Sequence, residues 1–183
     1  MCGIVGIISN KPVASEIYDS LIHLQHRGQD AAGIMTHSNR IHMKKGVGLV
    51  REIFDIKNMT RLKGKVGIGH TRYPTHGGLG EDDAQPVWTR VPYGIAMTHN
   101  GNLVNYAEIA AEIKKTARRY LNTSSDIEVI LQIFADALDD ALRNKKAEHF
   151  FDHICYACKQ VFDRVSGAYS VISVIVGKGM VVF

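Results

Sequence analysis

Cys2 stands directly behind the initiator methionine. Methionine is readily removed before a small residue, and its loss would leave one residue carrying both a thiol and a free α-amine. A thiol has a reference pKa of about 8.5 and an α-amine about 7.7–8.0, so the amine can take the thiol's proton near neutral pH. That is the chemistry of an acyl-transferring nucleophile. A thiolate attacking an amide carbonyl needs donors for the developing oxyanion, and Asn100 followed by Gly101 offers a side-chain amide and an unhindered backbone N–H. An amino-acid substrate would also need a planar fork for its carboxylate, which Arg72 can supply. Its ammonium would need a countercharge, which Asp126 can supply.

Each of these residues also has a plainer reading. A free cysteine on a first strand packs as a small apolar residue. Asn-Gly is a common turn dipeptide. An aspartate at the start of a helix is favoured by the helix dipole alone. Arg72 could serve a surface ion pair, and Thr75 and His76 could be ordinary loop residues.

The elements that must position these groups follow from periodicity. The run from Cys2 to Ser9 reads as a buried strand whose Gly3 and Gly6 imply close backbone approach. Val13, Ile17, Leu21 and Leu24 mark a helix behind Pro12. His26 to Asp30 is a turn, and Ala31 to Thr36 with Ile41 to Lys45 is a strand pair. A short helix is expected from Val50 to Leu62, a strand from Val66 to His70, a glycine-rich loop from Tyr73 to Gln85, and a strand from Tyr93 to His99. Helices follow over Asn105 to Tyr120, Asp126 to Leu142 and Glu148 to Val165. Ser125 and Glu128 have the spacing of a capping box. Strands over Ala168 to Val176 and Met180 to Phe183 flank Gly177-Lys178-Gly179. Strands, then a block of helices, then strands predict an α+β fold with helices layered on largely antiparallel sheet. The last strand ends on an open apolar edge at Phe183, which leads to the expectation that the natural protein continues.

The chain has 183 residues, of which 45% are hydrophobic, enough for a true core. No apolar run has the length of a membrane span, and no secretory signal pattern opens the chain. These features predict a cytoplasmic protein with no membrane partner. Three cysteines, an odd number, argue against a disulfide framework. The net charge of +4 raises the question of nucleic acid. However, the one basic cluster, Lys114, Lys115, Arg118 and Arg119, has the spacing of a solvated helix face, so no nucleic-acid partner is expected. Cys155 and Cys158, with His149 and His153, have the types but not the arrangement of a zinc site, since all four would share one helix. Core packing along Ile154, Cys158, Val161 and Val165 is the expectation, with both cysteines protected and no metal. Gly46-Val47-Gly48 lacks the third glycine of a dinucleotide loop.

Five segments in order carry a resemblance: M-C-G-I-V-G at the start, R-G-x-D at Arg27 to Asp30, G-H-T-R at Gly69 to Arg72, H-N-G at His99 to Gly101, and S-D-x-E at Ser125 to Glu128. Together they resemble the class II, N-terminal-nucleophile glutamine amidotransferases, over essentially the whole chain. The spellings L-Q-H-R-G-Q-D (Leu24 to Asp30), R-Y-P-T-H-G (Arg72 to Gly77), A-Q-P (Ala84 to Pro86) and H-N-G-N-L-V-N (His99 to Asn105) are similar to one branch. That branch passes ammonia to phosphoribosyl pyrophosphate in purine biosynthesis. His76 is similar instead to the glucosamine-6-phosphate synthase loop, and that synthase, or an inert module on the same fold, is the alternative.

The resemblance implies a four-layer αββα sandwich. It implies that residues 1–183 form the glutaminase domain, cut short at its C-terminal end, without the phosphoribosyltransferase domain. It implies Cys2 as nucleophile, Asn100 and Gly101 as oxyanion hole, Arg72 and Thr75 on the carboxylate of L-glutamine, and Asp126 on its ammonium. No cofactor is implied for this chain. Magnesium would serve the absent domain, and the full-length enzyme would be a homo-oligomer.

Overall fold

The computed structural model describes residues 2–73, 80–116, 120–144 and 149–183. Two four-stranded antiparallel sheets lie face to face, each covered by helices on its outer side. The first sheet has the order β1-β4-β2-β3, with β1 Gly3–Ile8, β2 Ala31–His37, β3 Ile41–Val47 and β4 Val66–Arg72. The second has the order β5-β6-β7-β8, with β5 Val87–Thr89, β6 Ile95–Leu103, β7 Gly167–Ile175 and β8 Gly179–Val182. Helix α1, Ala14–Leu24, and the short α2, Val50–Ile53, and α3, Ile56–Arg61, accompany the first sheet. Helices α4, Tyr106–Thr116, α5, Asp126–Asn144, and α6, Phe150–Arg164, cover the second. This is the expected αββα sandwich.

The alternation of side chains along each strand decides what reaches the site. On β4, Gly67 and Gly69 face α1. A Cβ at either would stand 2.7 or 2.6 Å from the Ile17 side chain, so the glycines let the helix settle onto the sheet. Ile17 and Leu21 are fully buried there, each contributing about 1.5–3 kcal/mol by leaving water. The other face of β4 presents Ile68, in the apolar layer between the sheets, and then His70 and Arg72. Ile4 and Gly6 share that inner layer, where a Cβ at Gly6 would meet Met180 Sδ at 2.7 Å. By the same alternation Cys2 faces the second sheet. On β6, Ile95, Met97 and Leu103 pack toward the α5 core while Ala96 faces inward.

Several expectations need correction. The helix expected over Val50 to Leu62 is two helices, because Phe54 is extended and the Asp55 side chain accepts the Asn58 N–H to start α3 afresh. β5 is a strand that periodicity did not reveal. β6 continues four residues past His99, so Asn100-Gly101 is strand and not turn, paired with Ser170 and Tyr169 of β7. The Ser125–Glu128 capping box is not formed. Glu128 reaches further back, accepting the Asn122 and Thr123 amides, while the Ser125 amide goes to Thr123 Oγ1. Cys155 is exposed rather than protected, whereas Cys158 is half-buried beside the apolar face of Ile154, Ala157 and Val161. Lys114 and Lys115 lie exposed on α4 as expected, and Arg118 and Arg119 lie outside the described residues.

Candidate active site

Cys2 and Asn100 come from different sheets and meet at a cavity of 520 Å³ lined by Cys2, Tyr73, Asn100, Gly101, Tyr169 and Ser170, among others. The Cys2 nitrogen donates to Asn100 Oδ1 at 3.1 Å. With Met1 attached this nitrogen is a peptide N–H; once Met1 is lost, the same atom is the α-amine. Because Asn100 Oδ1 faces that donor, its Nδ2 donor group is turned away from the Cys2 nitrogen and left for other work. Gly101 is required by β7: a Cβ there would lie 2.5 Å from the Ala168 carbonyl oxygen.

The first strand is pinned at its start. Gly3 N–H donates to Thr71 Oγ1 at 3.2 Å, and Arg27 Nε donates to the Cys2 carbonyl at 3.1 Å. Tyr73 N–H points at the Cys2 sulfur, 3.4 Å away. Burial pushes the Cys2 thiol above its usual range; the Tyr73 backbone contact and the Arg72 charge pull it back, while Asp126 opposes them. A thiol in this setting is protonated at neutral pH and depends on a neighbouring base, which the freed α-amine would be.

Arg72 is only 3% exposed and Asp126 only 4%, so the surface ion-pair reading of Arg72 does not hold. Neither lines the cavity among the described residues, yet both charges act on the Cys2 thiol. Asp126 Oδ2 accepts the Leu103 N–H at 3.2 Å, and Oδ1 stands 3.1 Å from His99 Nε2. Thr75 and His76 lie outside the described residues. His70 is wholly buried with Nε2 3.2 Å from the His99 carbonyl, so that nitrogen carries the proton. Burial, followed by the neighbouring His99, pushes its pKa down to about 3.

Some residues carried no role from sequence alone. Arg27 lies within R-G-x-D, Gln85 within A-Q-P, and Tyr73 beside Arg72, so the motifs held them without saying what they hold. Among the described residues, no group of three His, Cys, Asp or Glu side chains is placed to hold a metal ion. No helix among them is long and apolar enough to cross a membrane.

Comparison with known proteins concerns the chain as a whole. The glutamine amidotransferase domain family matches residues 54–152. The chain is 46% identical over 185 residues to the amidophosphoribosyltransferase of Pasteurella multocida, covering 100% of this chain and 36% of that protein. It is 48% identical over 184 residues to that of Pseudomonas aeruginosa, again covering 100% and 36%. Among solved structures, the glutamine phosphoribosylpyrophosphate amidotransferase from B. subtilis, complexed with ADP and GMP, superposes with a TM-score of 0.75. Its sequence is 29% identical, and the match covers 96% of this chain and 35% of that one. The fold, with a buried thiol facing an asparagine across two sheets, and this family match define the class: the chain belongs to the glutamine amidotransferase domain family. Its particular likeness is to the amidophosphoribosyltransferases, of whose length it spans 36%.

Proposed function

We propose that this chain hydrolyses the side-chain amide of L-glutamine and that Cys2 is its nucleophile. The observation that carries the reading is the meeting of Cys2 and Asn100 from opposite sheets, nitrogen to Oδ1 at 3.1 Å, at the mouth of one cavity. After Met1 is removed, the α-amine accepts the thiol proton, and the thiolate attacks the glutamine Cδ carbonyl carbon. The oxyanion is taken by Asn100 Nδ2 and the Gly101 N–H. The protonated α-amine gives its proton to the leaving nitrogen, and ammonia departs as the γ-glutamyl thioester forms. Water then attacks the thioester, returning the thiol and releasing glutamate. Arg72 and Thr75 hold the α-carboxylate, and Asp126 holds the α-ammonium.

In the whole protein the ammonia passes to phosphoribosyl pyrophosphate and gives 5-phosphoribosylamine for purine biosynthesis. Identity of 46% to amidophosphoribosyltransferases across the whole chain supports this acceptor over that of glucosamine-6-phosphate synthase. The phosphoribosyltransferase part would take magnesium, and no residue of this chain is assigned to it. The protein is read as cytoplasmic and homo-oligomeric in its full-length form.

Cys2→Ser should abolish glutamine hydrolysis while the fold persists, because an alcohol ionises far less readily than a thiol. A glutamine-like diazoketone should label Cys2 in the wild-type protein whose Met1 has been removed. Label on Cys155 or Cys158, or full activity in Cys2→Ser, would overturn the assignment, and Met1 found retained by intact mass would favour the inert module.

A further inference from the structure

Behind the cavity, three buried polar side chains run in series from a loop to the start of α5. Gln85, His99 and Asp126 are 2%, 3% and 4% exposed. The place for Gln85 is built into the first sheet: a Cβ at Gly33 would stand 2.0 Å from the Gln85 carbonyl oxygen. Gln85 Oε1 receives the His99 backbone N–H at 2.7 Å and the Thr98 hydroxyl at 3.1 Å. A backbone N–H can only donate, so the atom facing it is the oxygen and the amide has one orientation. Its Nε2 therefore faces His99 Nδ1, 2.9 Å away, and donates to it. A ring nitrogen that accepts carries no proton, so the proton of neutral His99 sits on Nε2. That nitrogen is 3.1 Å from Asp126 Oδ1, a contact of charge and dipole without hydrogen-bond alignment, since among the described residues His99 Nε2 has no hydrogen-bond partner. The opposite tautomer would turn a lone pair toward a carboxylate at the same distance.

We propose that Gln85 is a positioning residue for glutamine, selecting the Nε2–H form of His99 and through it holding the Asp126 carboxylate in place for the substrate ammonium. This rests on the reading of Asp126 given above. With the tautomer reversed, Asp126 must turn away from His99; with a doubly protonated ring, its charge is spent on His99. Either change weakens the hold on the ammonium without touching the thiol or the oxyanion donors.

Gln85→Glu is the discriminating variant. It keeps an oxygen for His99 N–H and the Thr98 hydroxyl, but puts a second oxygen where Nδ1 needs a donor. The KM for glutamine should rise about tenfold, as for loss of one charge-supporting hydrogen bond, with kcat within about twofold. In the Asp126→Asn background the same change should add nothing further, because both act through one carboxylate. Histidine-labelled protein read by ¹⁵N–¹H correlation should show His99 protonated on Nε2 in the wild type and on Nδ1, or on both nitrogens, in Gln85→Glu. A wild-type His99 protonated on Nδ1 overturns the proposal even if no variant folds. So does a Gln85→Glu protein with wild-type KM, provided Asp126→Asn raises KM. If Asp126→Asn itself leaves KM unchanged, the ammonium role of Asp126 is what fails.

Discussion

Along β4 the residues turned to the covering helix are Gly67 and Gly69, whereas along β6 they are Ile95, Met97 and Leu103. One strand brings its helix close by having nothing in the way; the other holds its helix off with full-sized side chains. The consequence shows at the site end of each strand. β4 delivers His70 and Arg72; among the described residues, His70 Nδ1 on this strand and His99 Nε2 on β6 are both buried without a hydrogen-bond partner. β6 delivers His99, whose Nδ1 receives Gln85 and whose Nε2 faces Asp126, and then Asn100 on the opposite face beside Cys2. The glycine-floored strand supplies charge and a rigid ledge for β1; the filled strand supplies the positioned donors. The same period-2 pattern thus serves two purposes, and substitutions on the two strands should fail in different ways.

The largest effect belongs to β6. Asn100→Ala removes the acceptor for the Cys2 nitrogen and, in the proposed mechanism, an oxyanion donor. Steady-state kinetics should show kcat lower by roughly 10²–10³, the usual cost of one such donor, with a much smaller change in KM. A raised KM at normal kcat would mean that Asn100 serves ground-state binding alone.

Packing comes next, with opposite sensitivities. Met97→Ala opens a cavity in the α5 core and should cost about 2–5 kcal/mol. Gly69→Ala adds a single methyl 2.6 Å from Ile17 Cγ2 and should cost about 1–3 kcal/mol as α1 is pushed off the sheet. Urea unfolding of both variants measures this directly. A Gly69→Ala protein as stable as the wild type would show that α1 can shift freely and that the glycines are not what sets its distance.

How much of this was legible in the sequence divides along the same line. Apolar runs of strand length placed β1, β2 and β3, and helical spacing placed α1 and α5, because both signals are local to the segment that carries them. The motif residues Cys2, Arg72, Asn100 and Asp126 could be picked out because their chemistry is unusual for a core. Asn100-Gly101 looked like a turn because turn preference is local, whereas the pairing that straightens it comes from Ser170 and Tyr169 far downstream. Gln85 was unreadable for a similar reason, since its place depends on Gly33 from one sheet and its partner His99 from the other. The break at Asp55 was within reach: an aspartate three residues before Asn58 is a cap signal inside an otherwise helical pattern. The apolar face legible in the sequence, Ile154, Cys158, Val161 and Val165, does not include Cys155, so the protection expected of both cysteines had a basis in the pattern for Cys158 alone.

The smallest effect returns to β4 and its partnerless histidine nitrogen. In the folded chain His70 protonates only near pH 3, because burial disfavours the charged ring and the nearby His99 adds to that. In the unfolded chain it protonates near the ordinary value of about 6.5. Between those values the unfolded state binds a proton that the folded state does not, so stability rises with pH. The contribution is complete above about pH 6.5 and is lost progressively as pH falls toward 3. The limiting slope is about 1.4 kcal/mol per pH unit, but at pH 6 the loss is still below about 1 kcal/mol because the unfolded ring is only partly charged. His70→Gln keeps a donor for the His99 carbonyl and removes the titration. Burial and the charges of Arg40 and Lys63 hold His42 down as well, so the wild-type slope contains more than one group. The difference between wild type and variant isolates His70. Urea midpoints at pH 7, 6 and 5 should fall less steeply in His70→Gln than in the wild type. Parallel lines would mean that the ring, once protonated, finds a hydrogen-bond acceptor or water at Nδ1.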